Sequence, residues 1–155
     1  MKICVQREAF DAGAEIGAMS RDPKTGAVAC FVGSVRDVNE GTSVEALTLE
    51  HYPGMTEKAI AGIVEEARRR WEVRDCTVIH RYGELRPGDP IVLVAVASAH
   101  RHDAFAACEF IMDFLKTRAP FWKKEETPAG ARWVEARPSD EAAAERWQDS
   151  ARKSA

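Results

Sequence analysis

Residues 91–120 read IVLVAVASAHRHDAFAACEFIMDFLKTRAP, and this stretch decides the fold class. Ile91 to Ala97 is an unbroken apolar run rich in valine, which predicts a buried strand. The period then changes. Ala104, Phe105, Cys108, Ile111, Met112 and Leu115 recur at three- and four-residue spacing, which predicts a helix over 101–116 with that face inward. Pro120 stops it, because proline lacks the N–H donor and biases the preceding residue away from the helical region.

Outward from this core the same two periods alternate. Thr77 to Tyr82 reads as a strand, and Arg86-Pro87-Gly88-Asp89 as the turn before the 91–97 strand. Ile60, Ile63, Val64, Ala67 and Trp71 define a helix over 55–71, with Glu57, Glu65, Arg68 and Arg69 mostly outside. Val44 to Tyr52 alternates at strand period and directs Leu47 and Leu49 inward. Ala27 to Val35 is a dense apolar run that reads as another buried strand, followed by a polar loop over Asp37–Thr42. A short strand over 2–7 and a short helix over 10–19 precede the Arg21–Gly26 turn. Residues 121–126 and 132–136 read as two strands around a Pro128–Gly130 turn. Interspersed elements with short strand connections predict an α+β fold with a mainly antiparallel sheet. The helical connections after residues 52 and 98 leave room for some parallel pairing.

The chain has 155 residues, 22 Lys+Arg, 25 Asp+Glu and a net charge of −3. Residues 1–150 are expected to form one domain, with 151–155 as a loose tail. The mild acidity argues against a general nucleic-acid binder. No apolar run approaches the length of a membrane span, and MKICVQREAF does not read as a secretory signal, so the cytoplasm is the expected compartment. Cys4, Cys30, Cys76 and Cys108 are scattered without a CxxC pair and read as small buried hydrophobes, not as a zinc or redox site.

No phosphate-loop, GxGxxG, GxSxG or HExxH signature is present. What stands out is a set of cations at element ends: Arg36, His100, Arg101, Lys116, Lys123 and Lys124. Lys116 follows Met112 by one helical turn, at the edge of the buried stripe. On a strand, Lys123 and Lys124 point to opposite faces, one toward the packed side. His51 and His80 read as half-buried strand histidines. Converging arginines and lysines would form an anion pocket, and like charges with partial burial would lower a lysine's pKa. Ordinary surface roles remain open for each of these cations. So does a weak HxH metal pair at His100 and His102. No cysteine, serine or carboxylate stands beside them as an obvious nucleophile.

Six strings carry a resemblance: FVGSVR at 31–36, LTLEHYPGMTEKAI at 47–60, VIHRYGELRPGD at 78–89, SAHRHDAF at 98–105, FIMDFLKTRAPFWKKE at 110–125 and RWVEAR at 132–137. In this order and spacing the chain resembles the large, catalytic subunits of molybdopterin synthase, the MoaE family, over about residues 26–147. The resemblance implies an α/β hammerhead-type fold with an added small antiparallel subdomain. It implies a sulfurtransferase of molybdenum cofactor biosynthesis that converts cyclic pyranopterin monophosphate (precursor Z) to molybdopterin by adding two dithiolene sulfurs. The sulfur would arrive as a thiocarboxylate on the C-terminal Gly-Gly of a small ubiquitin-like carrier subunit. The assembly would be a heterotetramer around a central homodimer. No cofactor, metal, nucleic acid or membrane is implied.

By position, Lys116 and Lys123 match the family's catalytic lysines. Arg36, His100 and Arg101 match residues that hold the pterin and its phosphate. Phe31 and Met112 match pocket-lining residues, and Ser34, Val35, Lys124 and Glu125 flank these as substrate contacts. His102 has no counterpart in the pattern. The four cysteines fall outside the matched site strings, so the chain itself offers no sulfur. A non-catalytic dimeric scaffold for a ubiquitin-like protein and a His100/His102 phosphohydrolase are the competing readings. The charge also divides unevenly. Between His100 and Lys124 five Lys/Arg face three acids, and from Glu125 to Asp149 seven acids face three arginines.

Overall fold

The computed structural model describes residues 1–153, with side chains through residue 148. In chain order the elements are β1 (Lys2–Gln6), α1 (Ala12–Met19), β2 (Ala27–Ser34), β3 (Val38–Asn39), β4 (Thr42–Ser43), β5 (Ala46–His51), α2 (Met55–Arg70), β6 (Asp75–Arg81), β7 (Gly83–Leu85), β8 (Pro90–Ser98), α3 (Arg101–Arg118), β9 (Phe121–Thr127), β10 (Gly130–Val134) and α4 (Pro138–Lys153). The fold is α+β, as the periodicity predicts.

One sheet has the order β1-β6-β8-β2. β1 runs parallel to β6, and the other two pairs are antiparallel. This sheet is covered on both faces, which explains the continuous apolar run of β8. Val92, Val94 and Val96 meet Ile60, Val64 and Ala67 of α2 and Ala107, Phe110 and Ile111 of α3. Leu93, Ala95 and Ala97 meet Met19 of α1 on the other face. α3 is itself packed on more than one side, so Phe110 and Phe114 are buried beside the expected Ala104, Cys108, Ile111, Met112 and Leu115. Phe105 departs from the expectation. It lies at the margin of that stripe and is 66% exposed.

A second sheet, β10-β9-β5-β7, is antiparallel throughout. Leu47, Leu49 and Leu85 close its core with Val35 and Val44, and Ile91 packs against this core and the larger one. β3 and β4 form a separate hairpin inside the expected polar loop, with Glu40 and Gly41 at positive φ at its tip.

Two further differences have physical causes. β2 was expected to be buried but is an edge strand, so Cys30, Phe31 and Val32 are exposed. Cys30 is therefore not a core residue, whereas Cys76 and Cys108 are, and burial pushes both of those thiols up to about 12. The acidic stretch after β10 forms α4. Trp147 from α4 packs edge-on against Trp71 and Phe110, with centroids 5.4 and 5.5 Å away, and donates to Asp113 Oδ2 at 2.7 Å. The α4 backbone runs through Lys153, and residues 154–155 of the expected loose tail lie outside the described residues. Among the described residues no helix is long and apolar enough to cross a membrane.

Candidate active site

A cleft of about 550 Å³ opens where the end of β2, the C-terminal half of α3 and the inner face of β9 meet. Three local features build it. β2 continues into Val35, whose N–H donates to Asp89 O at 2.9 Å while Gly88 N–H donates to Val35 O at 2.8 Å. This clamp to the 86–89 turn holds Arg36 at the cleft. α3 presents Met112 and Lys116 one turn apart on the cleft side. The chain then extends at Ala119 and enters β9, where alternation turns Phe121, Lys123 and Glu125 to the cleft.

Lys123 is the lysine directed inward, and Lys124 lies on the other face, 3.9 Å from Glu126. Burial pushes the Lys123 ammonium below the usual lysine range, and the charge of Lys116 pushes it the same way. Lys116 is exposed yet lines the cleft, so the two lysines share one electrostatic environment.

Glu125 is 5% exposed, so its charge needs partners. Arg132, its cross-strand neighbour on β10, donates from Nε and Nη2 at 3.1 and 3.0 Å, and Asn39 Nδ2 donates at 2.6 Å. Asn39 Oδ1 in turn accepts from Arg36 Nη2 at 3.2 Å and from Arg137 Nη2 at 2.6 Å. Glu125 thus acts through Asn39 on the arginines of the cleft. His80 forms part of the cleft wall. Its Nδ1 donates to Arg81 O at 2.8 Å, and burial holds its pKa at about 4, so the ring is neutral near pH 7.

Of the residues expected at the site, Phe31, Ser34, Val35, Arg36, Met112, Lys116, Lys123 and Glu125 line this cleft. His100 and Arg101 do not. They stand exposed at the N-terminal end of α3, about 22 Å of helix from Lys116 at 1.5 Å per residue. Their turn is held firmly. Glu72 accepts from Ser98 Oγ at 2.6 Å and Ala99 N–H at 2.9 Å, and these bonds hold its carboxyl below the usual range. Asp103 Oδ2 answers by accepting from Glu72 N–H at 3.0 Å. Gly26 backs the same turn, where an added Cβ would fall 2.1 Å from Ala99 O.

Asn39, His80 and Arg137 are cleft residues that the sequence reading did not place at the site. Arg137 and His80 fall inside the matched strings RWVEAR and VIHRYGELRPGD, which was the available signal. Asn39 lies in a polar loop with no periodic signal. Among the described residues no group of three His, Cys, Asp or Glu side chains is placed to hold a metal ion.

The family model described as MoaE protein matches residues 5–118, most of the chain and all of α3. The chain belongs to the MoaE family. The molybdopterin synthase catalytic subunit of Escherichia coli is 62% identical over 146 residues, covering 94% of this chain and 97% of that one. The solved MoaE protein of Burkholderia ambifaria superposes with a TM-score of 0.81 at 57% identity, covering 95% of this chain and 97% of that one. The molybdopterin synthase structure from Staphylococcus aureus gives a TM-score of 0.79 at 34% identity, covering 84% and 95%. This MoaE-family chain is an enzyme subunit, a sulfurtransferase of molybdenum cofactor biosynthesis.

Proposed function

We propose that the cleft binds cyclic pyranopterin monophosphate and receives the thiocarboxylate tail of a small ubiquitin-like carrier, whose sulfur is transferred to the pterin to form the dithiolene. The observation that carries this reading is the cleft's composition. It gathers Arg36, Lys116 and Lys123 and contains none of the four cysteines. Such a site suits an anionic substrate and a sulfur donor from outside the chain.

In this reading Arg36 fixes the phosphate, and Phe31 and Met112 flank the pterin. Ser34, Val35 and Glu125 complete the wall. Lys124, on the outer face of β9, supports the strand and not the substrate. Lys116 acts as general acid/base or attacks the carrier's acyl carbon, and Lys123 stabilises developing negative charge. Two sulfurs require two carrier deliveries, so a multi-point cationic clamp keeps the half-sulfurated intermediate bound between them.

His100 and Arg101 enter this scheme through a second copy of the chain. They are exposed, rigidly held and remote from their own Lys116. A symmetric homodimer bringing them to the neighbouring cleft completes the anion site, and a carrier subunit at each end makes a heterotetramer. The whole reaction is placed in the cytoplasm.

The test is incubation of the purified chain with precursor Z and thiocarboxylated carrier, followed by the fluorescence of oxidised molybdopterin. Dithiolene product is the expected result. Carrier binding without product would overturn the catalytic reading in favour of a scaffold.

A further inference from the structure

Arg36 and Arg137 converge on one atom. Their Nη2 groups donate to Asn39 Oδ1 at 3.2 and 2.6 Å, so the two nitrogens lie within about 6 Å of each other. Among the described residues neither guanidinium has a carboxylate within 4.0 Å, and each makes no other hydrogen bond to the protein. Each therefore keeps four of its five N–H donors free. Both line the cleft and both are exposed, whereas Asn39 is 8% exposed.

The acceptor they share is a carboxamide. An acidic side chain there would cancel one of the two charges, but a neutral oxygen orients both groups and leaves both charges in place. The carboxamide is itself oriented. Its Nδ2 donates to Glu125 at 2.6 Å, and the Arg132 fork holds Glu125 from the other side. A flipped amide would set N–H groups against two guanidiniums and its oxygen against a carboxylate. Two cations held this close repel until an anion lies between them, and arginine forks match the oxygens of a phosphate ester.

We propose that Arg137 is a second guanidinium of the cleft's anion site, and that Asn39 is the positioning residue that yokes it to Arg36. This rests on the reading of the cleft as the site of a cyclic phosphate, and it names the residues that grip that phosphate within one chain.

Calorimetric titration of cyclic pyranopterin monophosphate into the intact protein tests it. Arg137→Ala is expected to weaken binding about tenfold or more. Arg69→Ala, which removes an equal charge from the outer face of α2, is expected to bind like the wild type. Asn39→Ala, which keeps both guanidinium charges but removes the atom that joins them, is expected to weaken binding less than Arg137→Ala, and wild-type binding by Asn39→Ala would remove its positioning role. The double variant Asn39→Ala/Arg137→Ala is expected to lose less than the product of the single losses. Thermal melts confirm that each variant is folded, and Arg137, being exposed, is removed without opening the core. If the wild type binds and Arg137→Ala binds equally well, this inference alone falls. If the wild type binds no cyclic phosphate, the reading of the cleft falls and this inference with it.

Discussion

The imidazole of His80 lies flat on the ring of Phe121, with centroids 3.7 Å apart and planes 17° from parallel. The stack joins β6 of the first sheet to the first residue of β9 in the second, at the wall of the cleft. It covers one face of the imidazole at the cleft wall, where burial keeps the ring neutral.

Burial lowers the pKa of His80 from 6.5 to about 4, with the charge of Lys123 acting in the same direction. The folded chain then binds the His80 proton more weakly than the unfolded chain does. The stability tied to the neutral ring is whole above about pH 6.5 and is lost as pH falls toward about 4. Urea unfolding across this window should show a decline in the wild type that is flatter in His80→Gln, by on the order of 2–3 kcal/mol. Equal slopes for the two proteins would refute the assignment.

Lys116 and Lys123 share the cleft, and the charge of Lys116 helps to depress the pKa of Lys123. Lys116→Ala should cut dithiolene formation by about a hundredfold or more, and Lys123→Ala should cut it less severely. In Lys116→Ala the Lys123 ammonium should titrate at higher pH, because a neighbouring positive charge is gone. Product assays and NMR titration of labelled lysine read these out separately. Near-normal turnover by Lys116→Ala would remove its catalytic role.

Arg132 pairs with the buried carboxylate of Glu125, and its own side chain is 39% exposed. Arg132→Ala should destabilise the fold by about 2 kcal/mol, below the usual figure for a fully buried pair because water reaches one partner. Glu125→Gln should cost less, since a neutral amide needs less compensation. Denaturant unfolding of the two variants gives the order directly, and the reverse order would contradict the role of Arg132.

If each active site joins Lys116 of one copy to Arg101 of the other, two inactive variants can repair each other. A mixture of Lys116→Ala and Arg101→Ala chains, exchanged through denaturant, should recover about a quarter of the wild-type sites, because half the dimers are mixed and each carries one intact site. Recovery of no activity from a well-mixed, dimeric preparation would place both groups in a single chain.

Much of the architecture is legible in the residues. The switch at Ser98–Arg101 from unbroken apolar run to helical spacing locates the β8–α3 junction, and the outcome matches it. Periodicity recovers α2, β5 and β9 because each has one dominant buried face, and β6 is legible as a strand although it is buried on both faces. It does not recover β7, which has three residues, or α4, whose Ala- and Glu-rich surface lacks a broad apolar stripe. It misjudges β2, because an apolar run is the same string whether a strand lies inside a sheet or at its edge. At the candidate site, alternation along β9 correctly separates Lys123 from Lys124, and helical spacing correctly brings Lys116 beside Met112.

By itself, the sequence determined what depends on neighbours along the chain: the elements, their inward faces and the cationic residues at their ends. It also carried the six motif strings that identify the family. Tertiary structure alone decided which of those cations meet. Lys116, Lys123, Arg36 and Arg137 come from four separate segments, and only the packing of two sheets around α3 brings them to one cleft. The same packing sends His100 and Arg101 to the far end of a rigid 18-residue helix. A helix keeps its two ends apart whatever their chemistry, whereas a folded sheet brings distant residues within hydrogen-bond reach. The hub at Asn39 shows this most plainly, since it touches Glu125 and Arg137 across sequence separations of 86 and 98 residues.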